Sequence, residues 1–140
     1  MAWLRRLVTA FSLLGALGLV GCAGEGGGVQ SQKMATIKAR GSLLCGTDGK
    51  LPGFSYLDSD GRYAGLDVDT CRAVAAAMLG DGEKVQFRDL NPSERFAALS
   101  SGEVDLLARN TTMTLSRDAP GGNGLSFAPT TFYDGQGVMA

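Results

Sequence analysis

Three short apolar runs alternate with two helix-forming segments in the middle of the chain. The runs lie at Ser42–Thr47, around Val85 and Phe87, and at Val104–Ala108. A strand–helix–strand–helix–strand order is typical of parallel strands joined by right-handed helical crossovers. The sequence therefore predicts an α/β fold with a parallel-rich sheet flanked by helices.

Both helix-forming segments carry terminal signals. Asp67 is a suitable N-cap, so the first helix is predicted to begin there and to end at Gly80. The second begins with Asn-Pro-Ser-Glu at residues 91–94, where an N-cap, a proline and a glutamate at the third helical position form a start signature. A short helix over Met34–Arg40 and a small hairpin turning at Asp58–Gly61 are predicted upstream.

The first 21 residues are typical of a signal sequence. Arg5 and Arg6 precede an apolar run, Leu7–Val20, that is too short to span a bilayer. The run ends in Leu-Val-Gly-Cys at residues 19–22, which resembles the lipobox of bacterial lipoproteins. This resemblance implies that Cys22 receives a diacylglyceryl group and becomes the N-terminus, and two acyl chains form a stable membrane anchor. The alternative is an ordinary signal peptide in which Cys22 has no special role.

The chain is divided by composition into three parts. Residues 1–21 are the predicted signal peptide. Residues 22–32 comprise Cys22 and a stretch rich in glycine, serine and glutamine that offers little to bury, so we predict a flexible tether. Residues 33–140 are the predicted folded domain.

Charge and composition exclude several functions. Removal of the leader takes away two arginines, so the formal charge of −1 becomes −3, and no basic stripe remains for a nucleic-acid partner. The chain has no histidine, which excludes histidine-based acid–base catalysis and histidine metal sites. Asp67 and Asp69 form a DxD pair without a third carboxylate at a fitting spacing, so we predict no metal and no cofactor.

Two cysteines remain in the predicted domain. Cys45 lies at the end of the first predicted strand and Cys71 in the following helix. A helix that packs on a strand can bring such positions together, and export from the cytoplasm permits oxidation. We predict a Cys45–Cys71 disulfide, with two buried free thiols as the alternative.

The third apolar run leads directly into a cluster of hydrogen-bonding side chains. These are Asn110, Thr111, Thr112, Thr114, Ser116 and Arg117. In open α/β sheets, ligands bind beyond the carboxyl ends of the strands, and arginine recognises carboxylates through paired hydrogen bonds. This stretch therefore predicts a site for a small, polar, anionic ligand.

Three stretches of the chain carry a resemblance to a known family. They are Gly46–Phe54 (GTDGKLPGF), Gly61–Leu79 (GRYAGLDVDTCRAVAAAML) and Gly102–Asp118 (GEVDLLARNTTMTLSRD). Together they resemble the extracytoplasmic solute-binding proteins of amino-acid ABC importers, family 3, most closely the general L-amino-acid branch. The resemblance runs from about Ala35 to Ala140.

The resemblance implies a fold and a function. The fold is one lobe of a type II periplasmic binding protein, and because such proteins continue into a second lobe, this chain is expected to be truncated. The function is capture of free L-amino acids at the periplasm or cell surface and delivery to the membrane subunits of an ABC permease, without catalysis. A single lobe is expected to bind amino acids weakly or not at all, since half of the contacts are missing.

The resemblance also assigns ligand contacts in the loop after the third strand. Arg117 matches the arginine that binds the ligand α-carboxylate, and Asn110 and Thr112 match positions that complete the carboxylate and ammonium contacts. The alternative for Arg117 is a surface ion pair with Asp118. Thr111, Thr114 and Ser116 are equally explained as turn-forming residues.

Asp48 and Arg109 are further candidates. Asp48 matches an aspartate that recognises cationic side chains in relatives binding basic amino acids, but the aromatic residue of those relatives is Leu51 here. Asp48 as a simple turn residue is the alternative. Arg109 is a candidate contact for an acidic ligand side chain, with a structural ion pair to Asp105 or Asp134 as the alternative.

Three other functions stay in competition. Some enzymes, such as periplasmic dehydratases, resemble solute-binding proteins, but Glu94 and the neighbouring glutamates are expected to lie away from the crevice. A ligand-sensing ectodomain and a non-functional gene fragment are the remaining alternatives.

The lipobox generates a direct prediction. Cys22→Ala should abolish incorporation of labelled palmitate and release the protein from the membrane fraction, because the acylated cysteine supplies the anchoring energy. Metabolic labelling and cell fractionation measure both. Retention of the label in the alanine variant would refute lipidation at Cys22.

Overall fold

The computed structural model describes residues 28–118, 125–135 and 137. The chain divides into two units, residues 1–33 and 34–140, and apart from the first turns of the first helix all elements below belong to the second unit. The predicted signal peptide and Cys22 lie outside the described residues. None of the helices in those ranges is long and apolar enough to cross a membrane.

The described part alternates helices with short strands. The helices are α1 (Gly28–Arg40), α2 (Leu66–Leu79), α3 (Arg95–Ser100) and α4 (Leu115–Asp118). The strands are β1 (Leu43–Thr47), β2 (Lys50–Leu51), β3 (Ser55–Leu57), β4 (Tyr63–Ala64), β5 (Val85–Asp89) and β6 (Leu106–Leu107).

The main sheet has β1 at its centre. Its order is β5–β1–β6, and both pairings are parallel. Cys45 on β1 is opposite Phe87 on one side and Leu106 on the other. The predicted parallel α/β arrangement is confirmed, although the third strand is shorter than the predicted Val104–Ala108.

A second, antiparallel sheet follows β1 directly. Its order is β2–β3–β4, with Tyr56 opposite Ala64 and Leu57 opposite Tyr63. The carboxylate of Asp58 accepts the backbone N–H groups of Asp60 and Arg62, which closes the turn. The predicted hairpin is therefore confirmed.

The buried residues form two apolar clusters. One contains Ile37, Leu43 and Ala75, which join α1, β1 and α2. The other contains Ala98 of α3 together with Leu90, which follows β5, and Val104, which precedes β6. The predicted Cys45–Cys71 disulfide is present and links β1 to α2, with both residues fully buried.

The structure corrects two helix starts. α1 begins at Gly28 rather than Met34, so residues 28–32 of the predicted tether are helical. Asp67 is not the N-cap of α2, because that position is Gly65. Gly65 has φ 117°, and a Cβ there would lie 2.5 Å from the carbonyl oxygen of Phe54. The carbonyls of Gly53 and Phe54 accept the first N–H groups of α2, so no side-chain cap is needed.

The start of α3 follows the predicted signature. The Asn91 carboxamide oxygen accepts the N–H groups of Ser93 and Glu94, and the Glu94 carboxylate accepts the N–H of Asn91. This reciprocal pattern is a capping box. The regular helix begins at Arg95 with Glu94 at the N-cap position, so the prediction that Asn91 is the N-cap placed the start one turn too early.

The disulfide should supply much of the stability of this small domain. It closes a separation of 26 residues, for which loop entropy predicts about 3 kcal/mol. We expect the Cys45→Ala/Cys71→Ala variant to lose about this much free energy of unfolding, measured by urea denaturation. Reduction of the wild-type protein should lower stability equally and leave the variant unchanged. Equal stability of the oxidised wild type and the variant would contradict a stabilising bond.

Candidate ligand-binding site

The carboxyl ends of the parallel strands open onto a cleft of about 390 Å³. Asp48 follows β1, Leu90 and Asn91 follow β5, and Arg109 lies beyond β6. The full lining is Asp48, Lys50, Asp89, Leu90, Asn91, Pro92, Glu94 and Arg109. This is the edge at which open α/β sheets bind ligands, as predicted.

Asp48 and Arg109 form an ion pair within the cleft. The Nη2 atom of Arg109 lies 2.7 Å from Oδ2 of Asp48, and Nε donates to the Leu90 carbonyl at 2.6 Å. Arg109 is only 7% exposed. The alternative partner Asp105 is wrong, since Asp105 pairs with Arg40, and the ion pair that the structure gives Arg109 is with Asp48 rather than with Asp134.

Sequence reasoning missed this pairing, although a signal for it exists. Asp48 and Arg109 were each considered as contacts of a ligand side chain, not of each other. They follow β1 and β6, which are neighbouring parallel strands. Opposite charges just beyond the ends of adjacent strands are within reach of one another, so topology alone could have suggested the pair.

Asp67 supports the loop that follows β6. Its side chain is 5% exposed, and Oδ2 accepts the backbone N–H of Asn110 at 3.2 Å. Asn110 has φ 34°, which is unusual for a residue other than glycine. Burial raises the pKa of Asp67; the Asn110 N–H opposes this shift, Asp48 adds to it, and Arg109 opposes it. A carboxyl predicted as a helix cap thus holds a loop of the site instead.

Arg117 lies in α4, which ends this loop, and is outside the lining of the cleft. Its Nη1 atom donates to the Thr112 carbonyl at 2.7 Å, and its guanidinium carbon is 5.5 Å from the centre of the Phe96 ring. The alternative ion pair with Asp118 is wrong for the described residues, because Asp118 accepts the N–H of Phe127. Among the described residues, this hydrogen bond uses one of the five N–H donors of the guanidinium.

Arg95 is a cationic neighbour that the sequence analysis missed. Its guanidinium carbon lies 4.8 Å from the centre of the Phe96 ring, so Arg95 and Arg117 share one aromatic partner. Burial lowers the pKa of Arg95, and the positive charges of Arg109 and Arg117 lower it further. Positive charge is therefore concentrated beside the loop, as an anionic ligand requires.

The polar residues of the loop divide into two groups. The Thr111 hydroxyl donates to the Arg109 carbonyl, and the hydroxyl oxygens of Thr114 and Ser116 are 3.1 Å apart. These contacts agree with turn-forming roles. Asn110 and Thr112 are exposed, and their contacts with a ligand stay a prediction.

Two further carboxylates, those of Asp89 and Glu94, line what we call the opposite wall of the cleft, across from Asp48 and Arg109. Each accepts a hydrogen bond. The Tyr63 hydroxyl donates to Asp89 at 2.9 Å, and burial together with Asp89 raises the pKa of Tyr63 to about 12. Glu94 lines the cleft, which corrects the expectation that it lies away from the crevice, but its carboxylate caps Asn91. No cluster of three potential metal ligands occurs in the described ranges.

A parallel sheet whose carboxyl ends open onto a charged cleft is the architecture of an open α/β domain. The model of the bacterial extracellular solute-binding proteins, family 3, matches residues 43–140. The chain belongs to this family.

Two curated relatives are similar over most of this chain. AapJ, a general L-amino acid-binding periplasmic protein of Rhizobium johnstonii, is 44% identical over 91% of this chain and 37% of its own length. BztA of Rhodobacter capsulatus, a glutamate/glutamine/aspartate/asparagine-binding protein, is 48% identical over 81% of this chain and 33% of its own. The chain thus spans about a third of the length of the curated relatives it matches.

Solved structures give the same comparison in three dimensions. A periplasmic binding protein from Brucella ovis with glutathione bound has a TM-score of 0.63 and 52% identity, over 67% of this chain and 29% of that one. The arginine-bound form of a variant of domain 1 of TmArgBP has a TM-score of 0.54 and 26% identity, over 65% and 77%. An ancestral cyclohexadienyl dehydratase has a TM-score of 0.53 and 32% identity, over 60% and 34%.

The role of Asp67 generates a pH-dependent prediction. Asp67→Asn should stabilise the protein at neutral pH, because the amide oxygen still accepts the Asn110 N–H and no charge is buried. A raised pKa means that the folded state keeps the proton to higher pH than the unfolded state. In the wild type, the stability that the protonated Asp67 contributes is complete below the unperturbed pKa of 3.8. It is lost as the pH rises through the raised pKa of the folded state.

The advantage of Asp67→Asn over the wild type should therefore disappear in acid. Thermal unfolding across a pH series measures it. Asp69→Asn is the matched control, since Asp69 lies on the same helix but its carboxylate is exposed. A loss of about 1 kcal/mol or more in Asp67→Asn at neutral pH would show that the loop needs the charge.

Proposed function

We propose that the protein is the substrate-binding component of an amino-acid ABC importer and that the described lobe binds the α-carboxylate of a free L-amino acid through Arg117. The observation that carries this proposal is the state of Arg117. Within the described part of the chain, its guanidinium is oriented by one hydrogen bond to the Thr112 carbonyl and is only half-buried. An oriented arginine with open donors suits a bidentate carboxylate contact.

The relatives support this assignment of ligand class. AapJ and BztA are both named for amino-acid binding, and each matches more than four fifths of this chain. Asn110 and Thr112 are exposed, and Thr112 contacts Arg117 through its carbonyl, which supports a role for both in the same site. Delivery of the amino acid to the membrane subunits of a permease belongs to the same proposal.

The site of action is the outer side of the cytoplasmic membrane. We propose that the protein is held at the periplasm or cell surface by diacylated Cys22. The support is the sequence at residues 19–22 together with membership of an extracellular solute-binding family.

A single lobe is sufficient for ligand binding in a protein of similar fold. Domain 1 of TmArgBP has been solved in an arginine-bound form. This changes the expectation drawn from the sequence, which was weak binding or none: we now propose that the 140-residue chain binds amino acids itself, with an affinity limited by the contacts that one lobe offers.

Glutathione is a second candidate ligand, favoured by the glutathione-bound Brucella ovis structure. Its glutamyl end carries a free α-ammonium and α-carboxylate, so Arg117 would bind it as it binds an amino acid. A dehydratase-like activity is the alternative from another class, since an ancestral cyclohexadienyl dehydratase shares the fold. It is disfavoured by the partners of Asp89 and Glu94, the carboxylates of the opposite wall.

Substitution of Arg117 tests the proposal. Arg117→Ala should raise the Kd for amino acids about a hundredfold, the equivalent of the roughly 2–3 kcal/mol lost when a carboxylate is left unpaired. Arg117→Lys should restore part of this loss, because it keeps the charge without the planar fork. Calorimetry with a panel of L-amino acids and glutathione measures both.

The matched control is Arg62→Ala, which removes an arginine paired with Asp58 and Asp60 in the hairpin turn. Its affinity should equal that of the wild type. An Arg117→Ala variant that binds within threefold of the wild type would place the carboxylate elsewhere.

A further inference from the structure

We propose that the Asp48–Arg109 ion pair sets the charge selectivity of its wall of the cleft, so that this wall accepts neutral hydrogen-bonding side chains and rejects cationic ones. This inference rests on the proposed function, because it concerns the side chain of the amino acid whose carboxylate Arg117 binds. It makes Arg109 a specificity-determining residue that acts through Asp48.

The pair is fixed in place by its surroundings. Arg109 is 93% buried, its Nε is bound to the Leu90 carbonyl, and its Nη2 is bound to Asp48. Guanidinium does not lose its proton in proteins, so it cannot become neutral to make way for another cation. Separating a buried pair leaves an uncompensated charge and is strongly unfavourable. A lysine or arginine ligand therefore cannot displace Arg109 from Asp48.

The other charged groups near the pair come from every element packed against it. Asp67, from α2, is buried and holds the Asn110 N–H. Asp89, from β5, accepts the Tyr63 hydroxyl, and Glu94, before α3, accepts the Asn91 N–H. Lys50, in β2, adds a positive charge to the lining. Asp89 and Glu94 accept these hydrogen bonds from neutral donors and keep their negative charge, so the exclusion of a cation concerns the wall formed by Asp48 and Arg109.

The same pair suits neutral polar side chains. The described structure uses one oxygen of Asp48 and two nitrogens of Arg109, which leaves an acceptor beside a donor in the cleft wall. A side chain that carries both a donor and an acceptor, such as a carboxamide, matches this arrangement without burying a new charge. We therefore assign glutamine-like ligands to this wall and exclude lysine-like ones.

Two opposite substitutions test the proposal. In the wild type, calorimetry should show glutamine binding at least about tenfold more tightly than lysine. Arg109→Met leaves Asp48 unpaired, so the ratio of lysine to glutamine affinity should rise about tenfold. Asp48→Asn removes the negative charge that neutralises Arg109, so the ratio of glutamate to glutamine affinity should rise by a similar factor. Arg88→Met is the matched control, because Arg88 pairs with Glu103 away from the cleft, and it should leave both ratios unchanged.

The outcomes separate this inference from the proposed function. Should Arg109→Met fail to fold, Asp48→Asn decides the question, since its amide oxygen still accepts the Arg109 hydrogen bond. Variants that bind glutamine, lysine and glutamate in the wild-type ratios would overturn the role of the ion pair and leave amino-acid binding intact. A wild-type protein that binds none of the three would overturn both.

Discussion

The central strand β1 is the element on which the rest of the described domain depends. It pairs in parallel with β5 and β6, its Leu43 joins the core beneath α1 and α2, and its Cys45 is bonded to Cys71. Since both neighbours run in the same direction, all three carboxyl ends meet at one edge. The cleft and its charged residues follow from that alignment.

Two kinds of group meet at the cleft edge. Some are buried charges that need a partner, and the others, Asn110 and Thr112, are exposed. Arg109 is neutralised by Asp48, while Asp67 is bound to the backbone at Asn110. These buried contacts join the ends of β1, α2 and β6, so the loop that carries Arg117 starts from a fixed point. The buried contacts fix the start of the loop, while Asn110 and Thr112 are exposed on it. Such preorganisation lowers the entropy cost of binding a small ligand.

The sequence predicted the parts of the fold that local patterns determine. The alternation of strands and helices, the hairpin at Asp58 and the capping box at Asn91 were found where expected. The errors arose where tertiary contacts override local preference. Backbone carbonyls of a preceding loop replaced Asp67 as the cap of α2, and this freed its carboxylate to hold Asn110. The partner of Arg109 depends on strand order, which no local pattern contains.

The central claim is that the loop after β6 holds the α-carboxylate of an amino acid. Nuclear magnetic resonance of the isotope-labelled protein, with both backbone amides and arginine Nε groups observed during titration with L-glutamine, tests it most directly. The account predicts that the largest shifts occur at the Arg117 Nε and at the amides of Asn110 and Thr112. An Arg117 Nε signal that stays unchanged while glutamine saturates the protein would contradict the account.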